Sequence, residues 1–123
     1  VTSRTEVADF LRLFKGCLMV EFWHVKDRRK NTQGLIDLGI TASERKEQLL
    51  ALIPEDYHAG PKPDDTDDTK QVWEFGRVVN GTEVYLKLRV VEDPRQKGRY
   101  RALVWSFHPA EHRISYPLRG GGR

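Results

Sequence analysis

The sequence predicts an α+β domain in which N-terminal helices pack on a small antiparallel β-sheet. Three observations carry this reading. Val7, Phe10, Leu11 and Phe14 fall at i, i+3, i+4 and i+7, one face of a helix. The second half of the chain alternates apolar and polar residues at the period of a strand, most cleanly in "EVYLKLRVV". Asn80-Gly81 lies between two such runs, and this dipeptide is the strongest short hairpin signal.

The first helix is expected to close at Gly16, with residues 17–25, "CLMVEFWHV", following as a strand. The basic run "KDRRKN" brings Lys26, Arg28, Arg29 and Lys30 close together. Asn31 or Thr32 is placed to cap a second short helix carrying Leu35, Ile36 and Leu38, which Gly39 stops. Thr41 and Glu44 have the spacing of a capping box and open a third helix that ends before Pro54. From Glu55 to Lys70 there is no apolar periodicity, only Gly60, Pro61, Pro63 and the run "DDTDD", so this stretch reads as an irregular, mobile loop. Three strands follow, "QVWEFGRVV", "EVYLKLRVV" and "RYRALVWSFH", the last two joined by the turn "EDPRQKGR". Residues 1–118 are expected to form one domain and 119–123, "RGGGR", a flexible tail.

Composition narrows the classes of function. No apolar run approaches the length of a membrane span, so no membrane association is expected. The opening segment is amphipathic and charged, unlike a leader peptide, which points to the cytoplasm. Cys17 is the single cysteine and excludes an intramolecular disulfide; inside an apolar run it reads as a core thiol. The net charge of +3 is unevenly spread. Residues 55–69 hold six acids against Lys62 and carry −5, which leaves +8 on the rest. A basic surface beside one acidic segment suits a polyanion such as nucleic acid, and equally an ordinary solvated surface.

Strand alternation sets the candidate site. In "EVYLKLRVV", Val84, Leu86, Leu88 and Val90 must face the helices, which places Tyr85, Lys87 and Arg89 on the opposite face. Cations there can meet phosphate, and tyrosine can stack on a base or hydrogen-bond to phosphate. In the last strand, Leu103, Trp105 and Phe107 are expected on one side and Val104, Ser106 and His108 on the other, with Pro109 ending the strand. His108 and His112 have i, i+4 spacing, but prolines at 109 and 117 break any helix there, and no second ligand cluster exists. "DDTDD" lacks the glycine and distal glutamate of a calcium loop. No metal or other cofactor is therefore expected, and an acid–base histidine is the better-motivated reading of His108.

The segments "RKNTQGLIDLGIT", "ERKEQLLALIPEDYHAGP", "VWEFGRVVNGTEVYLKLRV" and "SFHPAEHRISYP" together resemble a branch of the MqsR family of toxins, over roughly residues 29–117. The resemblance implies a RelE-like fold and a metal-independent endoribonuclease that cleaves mRNA and inhibits growth. It also implies a cognate antitoxin protein as partner. By motif, the family's sheet tyrosine falls on Tyr85 and the lysine beside it on Lys87. The polar residue after its tryptophan falls on Glu74. Two lysines of the founding toxin are absent: their places are taken by His108 and by Ala59, beside His58. The expected acid–base pair is therefore His58 and His108, with Glu74 and Tyr85 in the catalytic group. Lys87, Arg89, Arg28, Arg29 and Lys30 are the expected RNA-binding cations. The alternative is a non-catalytic RNA- or protein-binding module of the same fold.

Overall fold

The structure, a computed structural model, describes residues 2–120. Its fold is α+β, with three helices preceding most of a five-stranded sheet. Helix α1 spans Arg4–Met19, α2 Arg29–Leu38 and α3 Ala42–Leu50. Strands β1 (Trp23–Val25), β2 (Tyr57–Pro63), β3 (Gln71–Val79), β4 (Thr82–Glu92) and β5 (Tyr100–Pro109) stand in the order β1-β5-β4-β3-β2. No helix among the described residues is long and apolar enough to cross a membrane.

Gly16 does not end α1. The helix starts at a Ser3–Glu6 capping box and runs to Met19, burying Val7, Phe10, Leu11, Phe14, Cys17 and Leu18. Cys17 and Leu18 continue the i+3, i+4 series through the glycine. A glycine inside a helix costs about 1 kcal/mol, whereas burying a side chain such as Leu18 gains roughly 1.5–3 kcal/mol, so the longer helix wins. Cys17 is a buried thiol as expected, but on a helix, and burial pushes its ionisation up. The strand expected over 17–25 is thus reduced to Trp23–Val25.

That short strand pairs parallel with β5, so the sheet is mixed; its other three pairings are antiparallel. A further correction falls at residues 57–63, expected within a loop. They form edge strand β2 against β3, with register breaks after Tyr57 and Ala59. Glycine and prolines hid it, yet both prolines sit on an edge strand, where a missing N–H costs no ladder bond. Only 64–70 remains a loop, folded on itself where Asp64 accepts from Thr66 and Asp67 from Thr69. Asn80 and Gly81 both have positive φ, as the tight hairpin between β3 and β4 requires.

Val84, Leu86 and Leu88 join Phe75, Val104, Phe107 and the apolar face of α1 in one core. In β5 the expected alternation fails midway. Lys87 pairs with Ser106 but Leu88 pairs with Val104, which leaves Trp105 as an extra residue. Val104 therefore turns into the core and Trp105 turns out of it, the reverse of the expected assignment.

The chain then crosses the outer face of β3. A Cβ on Gly76 would come within 2.5 Å of the Tyr116 hydroxyl and 2.9 Å of Ile114, so only glycine lets this segment lie so close. Tyr116 donates to Glu83 at 2.7 Å, and Arg119 covers the Tyr116 ring and bonds Asp56 at 3.3 Å. Arg119, expected in the tail, is thus anchored; 121–123 lie outside the described residues. Burial, then the bond to Glu83, pushes the Tyr116 phenol up to about 12. Its neutral form is favoured by folding, so the stability it contributes is complete below the ordinary value of 10 and lost as pH rises towards about 12. Unfolding midpoints across that window should fall more steeply for the wild type than for Tyr116→Phe; parallel curves would contradict this.

Candidate functional site

The face of the sheet opposite the core carries an open cleft of about 610 Å³. Its floor is β3, β4 and β5. One wall is the segment after β5, the other the start of α2, and β2 with the acidic loop closes the far end. His108, His58, Glu74 and Tyr85 all line it, together with Lys87, Arg28 and Lys30. Arg29 and Arg89, also expected at the site, do not.

Cross-strand register explains the convergence. Tyr85 lies opposite His108 on one side and Gly76 on the other, and Lys87 lies opposite Ser106 and Glu74. The Tyr85 and His108 rings sit 5.7 Å apart between centroids. His58 falls at the register break between Tyr57 and Ala59 and lies beside Glu74, with Nε2 3.9 Å from Oε1. Glu74 is only 6% exposed and is ion-paired with Lys62, which the sequence reading had counted only as a charge in the acidic segment.

Hydrogen bonds fix the histidine tautomers. The Nδ1 of His58 lies 2.8 Å from the Ser115 carbonyl, and that of His108 2.9 Å from the Pro109 carbonyl. A carbonyl only accepts, so both Nδ1 atoms carry protons and both Nε2 atoms are left for chemistry. The Tyr85 phenol is pushed well above its ordinary range by burial, then by the charge of and hydrogen bonding to Glu74. It stays protonated at neutral pH and acts as a donor, not as a base.

The cations differ in freedom. Arg28 donates to the Trp105 carbonyl at 3.1 Å and to the Ser106 hydroxyl at 2.7 Å, so its guanidinium braces the bulge. Lys30 pairs with Glu111 at the rim, and Lys30 holds the Glu111 carboxyl below the usual range. Lys87 lies over the Trp105 ring and pairs loosely with Asp65, at 3.5 Å, whose side chain is 89% exposed. Arg89 instead forms a 2.7 Å ion pair with Asp64, 1% exposed. Burial alone would raise the Asp64 carboxyl, but bonds from Thr66 and Arg89 outweigh it and hold it low. Arg89, expected to bind RNA, anchors the acidic loop through Asp64 and does not line the cleft. The two variants should therefore separate. Lys87→Ala should lower the salt dependence of RNA binding by about one unit of slope, while Arg89→Ala should leave the slope near the wild-type value. Equal losses of slope would return Arg89 to the binding surface.

Asn31, expected as a cap, is buried one turn inside α2, whose N-cap is Arg28. Its side chain donates to the carbonyls of Lys26 (2.9 Å) and Trp105 (3.0 Å) and accepts from Phe107 N–H (2.9 Å). Where β1 ends, Asn31 thus continues the edge pairing of β5 across the bulge. α2 can approach because residue 34 is glycine: a Cβ there would lie 2.8 Å from the Phe107 carbonyl oxygen. No family model matches the sequence, and no curated protein or solved structure matches it at a significant level.

Proposed function

We propose that the chain is a metal-independent endoribonuclease of the cytoplasm, the toxin half of a toxin–antitoxin pair, acting on single-stranded mRNA. The observation that carries the reading is the convergence in one cationic cleft of two histidines whose Nδ1 atoms are held by carbonyls, a buried carboxylate beside one of them and a protonated tyrosine. Strand scission of RNA without a metal needs those parts. The ribose 2′-oxygen attacks the adjacent phosphorus, a base removes its proton, and an acid protonates the departing 5′-oxygen. The products are a 2′,3′-cyclic phosphate and a free 5′-hydroxyl.

His58 is the base: its Nε2 faces Glu74, which stabilises the charge formed when the proton arrives. His108 is the acid. Tyr85, Lys87 and Lys62 line the same pocket and meet the negative charge that builds on the phosphorane. The motif "VYLKLRV", similar to that of MqsR toxins, supports the parts given to Tyr85 and Lys87, while the histidine pair rests on the geometry of the cleft.

The deciding experiment is incubation of purified protein with RNA in EDTA, followed by analysis of the ends. Cyclic phosphate ends are expected. Binding without new ends would make the chain an RNA-binding module. Expression in a bacterial host should slow growth, and a co-expressed genomic neighbour should relieve it; normal growth at high soluble expression would count against the toxin role.

A further inference from the structure

We infer that Trp105 is a stacking platform for the base next to the cleaved bond, a subsite that takes an unpaired nucleobase. The inference rests on the RNA reading above and adds a residue that reading does not use.

Trp105 is the extra residue of the β5 bulge. An unbroken strand would place either Trp105 or Ser106 in the cleft; with the bulge, both line it. Its backbone is doubly held, since Arg28 and Asn31 both donate to its carbonyl. The indole is neither buried in the core nor free on the surface: it is partly exposed on the cleft wall. A merely structural tryptophan would have joined the core cluster, as Trp73 does against Phe10.

Three cations surround the ring. Lys26 Nζ lies 5.3 Å, Lys87 Nζ 5.8 Å and the Arg89 guanidinium carbon 5.9 Å from its centroid. An aromatic surface flanked by lysines is the arrangement that holds single strands, with the base on the ring and phosphates on the cations. Stacking of a base is worth more than an exposed cation–π contact, so a base can take the face while Lys26 and Lys87 turn to the phosphates beside it. Arg89 stays with Asp64.

Placement sets which base. Lys87 is two residues from Tyr85 along β4, roughly 7 Å for an extended strand. Ser106, opposite Lys87, and Trp105 beside it are displaced from the Tyr85–His108 pair by about this step. One nucleotide of an extended strand spans it. The base on Trp105 therefore belongs to a neighbour of the reacting nucleotide, not to that nucleotide itself. Every base has a π-face, so this subsite favours unpaired over paired RNA more than it favours one sequence.

The test uses the full chain and a single-stranded 2′-O-methyl RNA oligonucleotide of about eight nucleotides, which lacks the attacking hydroxyl and cannot be cleaved. An abasic position is moved along it. At one position the abasic change should weaken binding to wild type roughly 5- to 150-fold. Trp105→Ala should lose as much on the intact oligonucleotide, and nothing more on that abasic one. Trp105→Phe keeps a π-face and should bind close to wild type, whereas Trp105→Leu fills the space without one and should not. That comparison decides the matter if the alanine variant unfolds. Unchanged binding by Trp105→Ala and Trp105→Leu, or abasic losses equal in wild type and variant, would overturn the subsite. Cyclic phosphate ends without this coupling would leave the nuclease reading standing and this one refuted. Coupling without such ends would do the reverse. Failure of the wild type to bind the oligonucleotide overturns both.

Discussion

His108→Ala is expected to lower the single-turnover rate of RNA cleavage by roughly 10²–10⁴-fold, the usual worth of one positioned acid or base, with the fold retained. The side chain is on the cleft face opposite Tyr85, its Nδ1 is committed to the Pro109 carbonyl, and its Nε2 is free. His108 is also 6% exposed, so the alanine variant leaves a small void under the cleft. His108→Asn is the companion, because its amide nitrogen takes the place of Nδ1 and can still donate to that carbonyl while being unable to transfer a proton. Both variants should lose rate alike and unfold near the wild-type temperature. A bell-shaped pH–rate profile is expected for a base and an acid acting together. His112→Ala should matter far less, since His112 is exposed at the rim beyond the strand. Full activity in His108→Asn, or a larger loss in His112→Ala, would remove His108 from the chemistry.

The side chains that converge in the cleft were mostly legible, and the backbone devices that bring them together were not. Alternation in β4 placed Tyr85 and Lys87 because nothing interrupts that strand's pattern: Val84, Leu86 and Leu88 are all fully buried. The same rule put Val104 on the wrong side in β5, because a bulge changes phase at one residue and leaves no mark in composition. His108 nevertheless lies beside Tyr85, since residues beyond the bulge pair in the expected sense. β2 was invisible for a different reason: an edge strand rich in glycine and proline is held by its neighbour's ladder, not by its own apolar pattern. Lys62 and His58 both stand on that strand, and both meet Glu74. Arg89 shows the limit of charge counting. Its partner Asp64 is distant in sequence, and only the fold reveals that its charge is already met.

Asn31 links the fold to the site, and its replacement should damage both. Three hydrogen bonds converge on one side chain that is 2% exposed. In Asn31→Leu the buried Phe107 N–H and the part-buried Lys26 carbonyl lose their partner, while the Trp105 carbonyl keeps Arg28. A buried group left unpaired costs about 1–3 kcal/mol and a part-buried one less, so a loss of roughly 1–4 kcal/mol is expected, which lowers the unfolding midpoint by about 4–16 °C at roughly 4 °C per kcal/mol for a chain this size. Asn31→Asp is the sharper probe. It matches the shape and keeps an acceptor for Phe107, but it sets a carboxylate oxygen against the two carbonyls that now receive Nδ2 protons. If the side chain acts through hydrogen bonding, Asp should be nearly as damaging as Leu near neutral pH and should recover in part under acid, where the protonated carboxyl regains one donor. The folded variant should also cleave RNA more slowly than its folded fraction accounts for, because the bulge that places Ser106 and Trp105 in the cleft and holds the approach to His108 is then braced by Arg28 alone. Stability within about 0.5 kcal/mol of wild type for Asn31→Asp, the range of ordinary surface changes, would show that the bulge holds without this side chain.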